Sequence, residues 1–372
     1  MKYDCVIVGA GAVGLSIAYE LSGHGLSLCV LDQAEPGRQT SWAGAGILPP
    51  ANQQMAHDAL GKLRGLSHEL HPQWASKLKS ETGIDVEYRQ CGALHLAREA
   101  GEAASLIAAV AQWQADGVRV EEVDVQKLGE MAELLAQAAS DGQIRKAYWL
   151  PDEAQVRSPR FTKALIAACL ACGVEIMRNN EVADFRFDDD GTTTVVTPQG
   201  KVAGKSFCVA AGAWTRHMMQ EAGVQLEIYP WRGQMVLLRG EPGLLNCVVN
   251  EGPNYLVPRM DGRILVGSTV EEVGFDASTT AEGIRELRQF ISEVTPQLAE
   301  LPIETSWAGL RPGTGDGFPF LGKVPGRPNV FVAAGHFRSG IQLAPATAVV
   351  MSQLIRGEEP EIDLRDFRLD RE

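Results

Sequence analysis

Gly9, Gly11 and Gly14 spell GxGxxG directly after the apolar run YDCVIV, and Asp32 closes the next apolar run, 18 residues beyond Gly14. Glycines at this spacing let backbone meet a pyrophosphate. The first makes a tight turn, the second admits the phosphates, and the third lets a helix pack closely on the strand. That helix presents its positive dipole end to the phosphates, and an acidic residue at the end of the second strand accepts hydrogen bonds from ribose hydroxyls. The chemistry indicated is dinucleotide binding, and the motif alone does not separate NAD from FAD. Two later segments bear on that choice: FCVAAGAW at 207–214 and VFVAAGHFRSGIQLAPAT at 330–347 each read as a buried strand running into small residues and a turn. Backbone of that kind approaches an extended ligand.

Two other spacings invite a metal or redox reading. Cys169 and Cys172 lie three apart, but inside the helical pattern TKALIAACLACGV, where that spacing marks one buried helix face. His68 and His71 are also three apart on a predicted helix, and a solvated face is expected for them. Neither pair has further ligands nearby, so no metal site is expected.

The elements that must position these groups follow from periodicity. Residues 3–8, 15–22 and LSLCVL form a beta-alpha-beta opening. Residues 53–82 look helical, 86–96 look like strands that begin a different lobe, and 101–140 predict two helices. The chain returns to the first lobe near Pro151, with a helix over 160–172 and a short strand in VEIMRNNEV. Hairpins are predicted with turns at Gln199–Gly200 and Asp261–Gly262. Ile284, Leu287, Ile291 and Val294 recur at helical spacing and predict an amphipathic helix. The fold class is α/β with interleaved lobes: residues 1–85, 151–222 and 320–372 in a Rossmann-like domain, and 86–150 and 223–319 in an α+β domain built on a mostly antiparallel sheet.

A chain of 372 residues is long for one core, which agrees with two lobes. With 47 acidic against 34 basic side chains the net charge is −13, a balance that repels nucleic acid and anionic lipid. No apolar stretch reaches the length of a membrane span, and the N-terminal run, broken by glycines, reads as a strand rather than a signal peptide. Seven cysteines without a scaffold rhythm suit a reducing compartment, so a cytoplasmic location is expected.

Six segments in order, VIVGAGAVGLSIAYEL, TSWAGAGILPP, LPDEAQVRSPR, YLVPRMDGRILVGSTVEEVGFD, WAGLRPGTGDGFPFLG and GHFRSGIQLAPAT, resemble the D-amino-acid oxidase family of flavoenzymes. Within that family the likeness is strongest to the branch that oxidises glycine for thiamin biosynthesis. The resemblance implies noncovalent FAD, since the last cysteine is Cys247, short of the C-terminal part where covalent relatives attach the flavin. It places the dinucleotide over Ala12 and Val13 and the ribose near Asp32 and Gln33. Around the flavin it implies Thr40, Ser41, Ala45, Gly46, Ile47, backbone at Val182, and the run His336, Phe337, Arg338, Ser339, Gly340, Ile341 and Gln342.

For substrate, the resemblance makes Arg311 the carboxylate clamp, Arg338 a second guanidinium and Tyr255 a hydroxyl donor. Arginine forks onto a carboxylate with two parallel hydrogen bonds and so orients the α-carbon. The implied reaction converts a small amino acid to its imine by hydride transfer, then to an oxo acid and ammonia, with oxygen reduced to hydrogen peroxide. No general base is implied. A dehydrogenase passing electrons to a quinone or carrier is the rival, and a homotetramer is implied by likeness. Two residues depart from the family pattern: Asp32 is shorter than the usual glutamate, and Trp42 brings bulk that either narrows the pocket or packs at a domain interface.

Overall fold

The computed structural model describes residues 2–187, 193–221 and 223–371. Lys2–Val8 runs parallel to Leu28–Leu31 on one side and to Gly200–Val209 on the other; Glu175–Met177 and Arg327–Ala334 extend the parallel set at its two ends. Apolar residues at every position of Lys2–Val8 from Cys5 onward make a strand buried on both faces. Cys5 and Ile7 face a core shared with the helices Ala12–Ser22, Ser158–Ala171 and Gly340–Arg356. Val6 and Val8 face Val195, Phe207 and Met219 on the other side.

The second sheet runs in the order Ile303–Thr314, Ile228–Arg239, Arg263–Gly267, Asn254–Pro258, Val248–Glu251, Ala93–Ala97, Lys146–Leu150 and Glu121–Glu122. Only Val248–Glu251 with Ala93–Ala97 is parallel; the other pairs are antiparallel. Val236, Leu238, Leu256 and Val266 pack on the helix Ala281–Val294, where Leu287, Ile291 and Val294 are buried as their spacing predicts. Met235, Tyr255, Val257 and Ala93 point the other way, toward Ala45 of the first lobe. The cavity described below lies on that side.

Several local expectations are corrected. The helix expected from 53 starts at Ala59, where the Asp58 carboxylate accepts from the Gly61 amide at 2.6 Å as an N-cap. Residues 101–140 hold one long helix, Ala100–Ala115, followed by short turns of helix between 125 and 140. The first hairpin turns one residue early, on Pro198 and Gln199, because Pro198 presets the turn and Gly200, at φ 126°, already pairs with Thr197. The second turns at Asp261 with Gly262 at φ 85°. Cys169 is buried, but Cys172 caps the helix end and is exposed, so the pair does not share a buried face.

His71 is likewise no solvated residue. It is 2% exposed, because Ala59–Thr82 packs along Gly340–Arg356, and its Nε2 donates to the Gln342 carbonyl at 2.9 Å. The Ser67 hydroxyl donates to the same carbonyl at 2.5 Å. Pro345 removes an amide from this turn, so side chains of the neighbouring helix serve its carbonyls. His68 is partly buried on the same helix.

Burial lowers His71 and the equally enclosed His336 to about 4, so both are neutral in the folded chain. An unfolded imidazole titrates near 6.5. Their contribution is therefore complete above that value and is lost as pH falls from about 6.5 toward 4, where the unfolded state alone binds the protons. Urea midpoints are expected to fall across that window by the equivalent of a few kcal/mol. His71→Gln would flatten the fall; a midpoint independent of pH in the parent chain would refute the assignment.

Candidate functional site

A cavity of about 1240 Å³ runs from the C-terminal ends of the parallel strands to the inner face of the second sheet. That exceeds the roughly 300–1,000 Å³ of ordinary ligand pockets. All the site residues expected from sequence line it except Gly14, which lies behind its wall.

At one end the three glycines separate by role. Gly9 has φ 110°, and a Cβ there would lie 2.4 Å from the Ala210 carbonyl oxygen. A Cβ on Gly14 would lie 2.0 Å from the Gly9 oxygen, so this glycine seats the helix on the strand. Gly11 is different: its Cβ would meet only the Ser41 hydroxyl, at 3.2 Å, so its backbone is open to the cavity. Ser41 Oγ accepts from the Ala12 amide at 2.8 Å. Asp32 uses both carboxylate oxygens on backbone, accepting from Ala10 at 2.6 Å and Ala34 at 2.8 Å. The shorter side chain thus braces the glycine loop, while burial raises its pKa above the ordinary carboxylate value against those two bonds. Gln33 and Val182 line the cavity beside it.

In the middle, the segment Ala45–Gly46–Ile47 is pressed against Val156. Gly46 has φ 75°, and a Cβ would lie 2.0 Å from the Val156 oxygen. Thr40 donates to the Leu310 carbonyl at 2.6 Å, joining this loop to the second sheet. The run after Arg327–Ala334 closes the other wall. Phe337 holds φ 48°, a strained conformation for a bulky residue, with its ring 6.4 Å from Trp231. Gly340, Ile341 and Gln342 begin the helix whose N-terminus opens on the cavity, and Gln342 donates to the Pro49 carbonyl at 2.9 Å. The His336 ring turns away to Thr347 at 3.1 Å, leaving its backbone at the wall.

These features fit FAD. Open backbone at Gly11 and a helix N-terminus suit a pyrophosphate, and a cavity of this length suits a dinucleotide with a three-ring head. Ala12, Val13, Asp32 and Gln33 would hold the nucleotide half, and Thr40, Ser41, Ala45–Ile47 and His336–Gln342 the flavin half.

At the far end, Arg311 projects from Ile303–Thr314 with Nη2 donating to Ser268 Oγ at 2.7 Å and Nη1 to the Thr269 carbonyl at 3.2 Å. Gly233 makes the room: a Cβ there would sit 2.0 Å from the guanidinium. Ser268 and Thr269 are fixed in turn, since Thr269 Oγ1 bonds Glu271, and Glu271 and Asp276 each pair with buried Arg232 at 2.6 Å. Burial lowers the Arg311 pKa from its ordinary value, Tyr255 opposes that shift, and nearby Arg338 adds to it. Among the described residues Arg311 has no carboxylate partner. Exposed Arg338 donates to the Pro253 carbonyl at 2.7 Å, 6.0 Å from the Tyr255 ring. Tyr255 is 8% exposed, and Gly267 leaves the space its ring fills. Among the described residues neither guanidinium has a carboxylate partner, so both keep charge-assisted donors to offer.

Trp42 does not line the cavity. Its ring packs edge-on against Trp307 at 5.3 Å, and Arg38 lies over it at 5.8 Å, so it is a packing residue between the lobes. Among the described residues no group of three or more His, Cys, Asp or Glu could hold a metal, and no helix is long and apolar enough to cross a membrane.

Sequence reading missed Arg259. Fully enclosed, it donates to the Ala45 carbonyl at 2.6 Å, Gln155 Oε1 at 2.8 Å and the Val156 carbonyl at 3.1 Å. Burial pushes it down to about 10, still protonated at neutral pH. The only signal was its place beside a hairpin turn. Arg259→Met strands three buried acceptors, each costing about 1–3 kcal/mol. FAD affinity is expected to fall at least tenfold in a fluorescence titration, with a lower melting temperature; unchanged affinity would show that this bond does not set the Ala45 loop.

The family model for FAD-dependent oxidoreductases (DAO) matches residues 4–354. The chain is 34% identical to a glycine oxidase of Pseudomonas aeruginosa, over 98% of this chain and 97% of that protein. It is 33% identical to the bifunctional protein ThiO/ThiG of a Nostoc species, over 100% of this chain and 55% of that longer protein. Among solved structures, glycine oxidase from Geobacillus kaustophilus superposes with a TM-score of 0.94 at 31% identity, covering 100% of this chain and 99% of that one.

Proposed function

The chain belongs to the DAO family of FAD-dependent oxidoreductases, and from that premise we propose that it oxidises glycine, or a similarly small amino acid, at the carbon between amine and carboxylate. The observation that carries this reading is Arg311, a partly buried guanidinium with hydrogen-bonding capacity left over and, among the described residues, no carboxylate to use it. When bound, FAD supplies the two-electron oxidation by taking a hydride from the α-carbon. The protein's part is binding and orientation. Arg311 forks onto the carboxylate, Arg338 adds a second charge, and Tyr255 donates from Asn254–Pro258 of the same sheet. Apolar Met235 and Ile47 narrow the wall and limit water.

Glyoxylate, ammonia and hydrogen peroxide are the proposed products from glycine, with oxygen as the final electron acceptor. A place in thiamin biosynthesis belongs to the same proposal, supported by the match to ThiO/ThiG. So do noncovalent FAD, a cytoplasmic location, a homo-oligomeric state, and the division into a discontinuous FAD-binding domain (1–85, 151–222 and 320–372) and a substrate-binding domain (86–150 and 223–319).

Anaerobic addition of glycine to the yellow holoenzyme is expected to bleach the oxidised-flavin band, and air to restore it. Sarcosine and D-alanine rank the alternatives. Bleaching that air does not reverse, but a quinone does, would favour a dehydrogenase; no bleaching with any small amino acid would overturn the reading.

A further inference from the structure

The cavity continues past the carboxylate clamp. One row of residues crosses the inner face of the second sheet: Tyr255 pairs with Asn250 on the next strand, and Asn250 with His95 on the one after. Neighbouring strands lie about 4.8 Å apart, so His95 stands about 10 Å from the clamp tyrosine. Glycine, clamped by its carboxylate, does not reach that far. Beyond the row stands Glu153, with no solvent exposure, accepting from His95 Nε2 at 2.9 Å and from Asn250 Nδ2 at 3.0 Å. The indole of Trp113 closes the chamber edge-on to His95 at 5.0 Å, and Glu102 lines the same side of the cavity.

Two properties define what this chamber takes. Glu153 is acceptor-only and uses the donors of its neighbours. Asn250, its Nδ2 given to Glu153, is left with its Oδ1, so the hydrogen-bonding capacity it retains is acceptor in kind. Charge points the same way. Among the described residues Glu153 has no lysine or arginine partner and only an imidazole beside it, whereas Arg311 and Arg338 stand at the other end. A buried carboxylate without a matched cation favours one within reach.

We propose that the Glu153–His95–Asn250 chamber is a tail subsite that selects amino acids whose substituent ends in an ammonium or similar cationic donor, with their carboxylate on Arg311. This rests on the reading of Arg311 as the carboxylate clamp. The substrates accepted would then extend beyond glycine to amino acids with a short aminoalkyl arm.

Ligands that cannot be oxidised separate binding from turnover. The holoenzyme is titrated with 5-aminopentanoate and with hexanoate, which differ by ammonium against methyl, and perturbation of the flavin spectrum gives each Kd. The aminocarboxylate is expected to bind at least tenfold more tightly. Glu153→Gln is expected to bring the ratio near one, and Asn250→Leu, which removes the Oδ1 acceptor at similar volume, to do the same if Glu153→Gln does not fold. Equal Kd values in the parent protein, or a preference that survives both substitutions, would overturn the subsite. Bleaching by glycine, measured on the same preparation, reports on the oxidase reading separately.

Discussion

Gly14→Ala is expected to yield little or no yellow protein. The added methyl would lie 2.0 Å from the Gly9 carbonyl oxygen and 3.3 Å from the Ala210 side chain. The first contact is with backbone, so relief requires lifting the helix Ala12–Ser22 off the parallel sheet. A clash of that kind costs more than about 3 kcal/mol, a large share of the stability of an ordinary domain. Gly11→Ala is the informative partner. Its methyl meets only a hydroxyl at 3.2 Å and otherwise occupies the space where phosphate oxygens would approach. That variant is expected to fold with a near-normal melting temperature as apoprotein but to bind FAD at least a hundredfold more weakly. Circular dichroism melts and FAD titration of both variants check the pair. Normal FAD binding by Gly11→Ala would remove the pyrophosphate from this loop.

Arg311→Met is the second large effect. Methionine keeps the aliphatic stem and removes every donor, so substrate loses its charged fork while the strand stays packed. Truncating one member of a desolvated charged pair costs about 2–5 kcal/mol, which predicts a fall in kcat/KM for glycine of roughly 30-fold to several thousandfold. The flavin spectrum should be unaltered, because Arg311 holds Ser268 and Thr269 and not the Ala45 loop. Gly233→Ala should act in the same direction from a distance. A methyl 2.0 Å from the guanidinium displaces it without removing its charge, so KM should rise about tenfold with a smaller change in kcat. Near-normal kcat/KM in Arg311→Met would eliminate the clamp.

What could be read in advance was what is local. Gly9, Gly11, Gly14 and Asp32 fall within one beta-alpha-beta unit, where spacing along the chain is spacing in the fold, and the five other quoted segments carried a family likeness. Even here the side chains held detail that types could not supply: Asp32 bonds the glycine loop's own amides. The row Tyr255–Asn250–His95 was not legible, because its last step exists only through strand register between Asn250 and His95, more than 150 residues apart. His71 misled for a related reason. Its helix reads as half-solvated until Gly340–Arg356, some 270 residues later, covers that face and Pro345 perturbs the carbonyls it serves. Trp42 required knowing where Trp307 lay.

The Arg259 bridge carries a thermodynamic consequence. Its guanidinium ties the Ala45 loop on the cofactor side to the hairpin Asn254–Gly267, whose first strand bears Tyr255 on the substrate side. Ordering either end therefore lowers the entropic cost of ordering the other, and such a coupling free energy is reciprocal: a carboxylate that binds the loaded protein tighter by some factor must tighten FAD by the same factor. Ligand-bound protein should then lose its cofactor more slowly during dialysis, and Arg259→Met should uncouple the two affinities even where each survives.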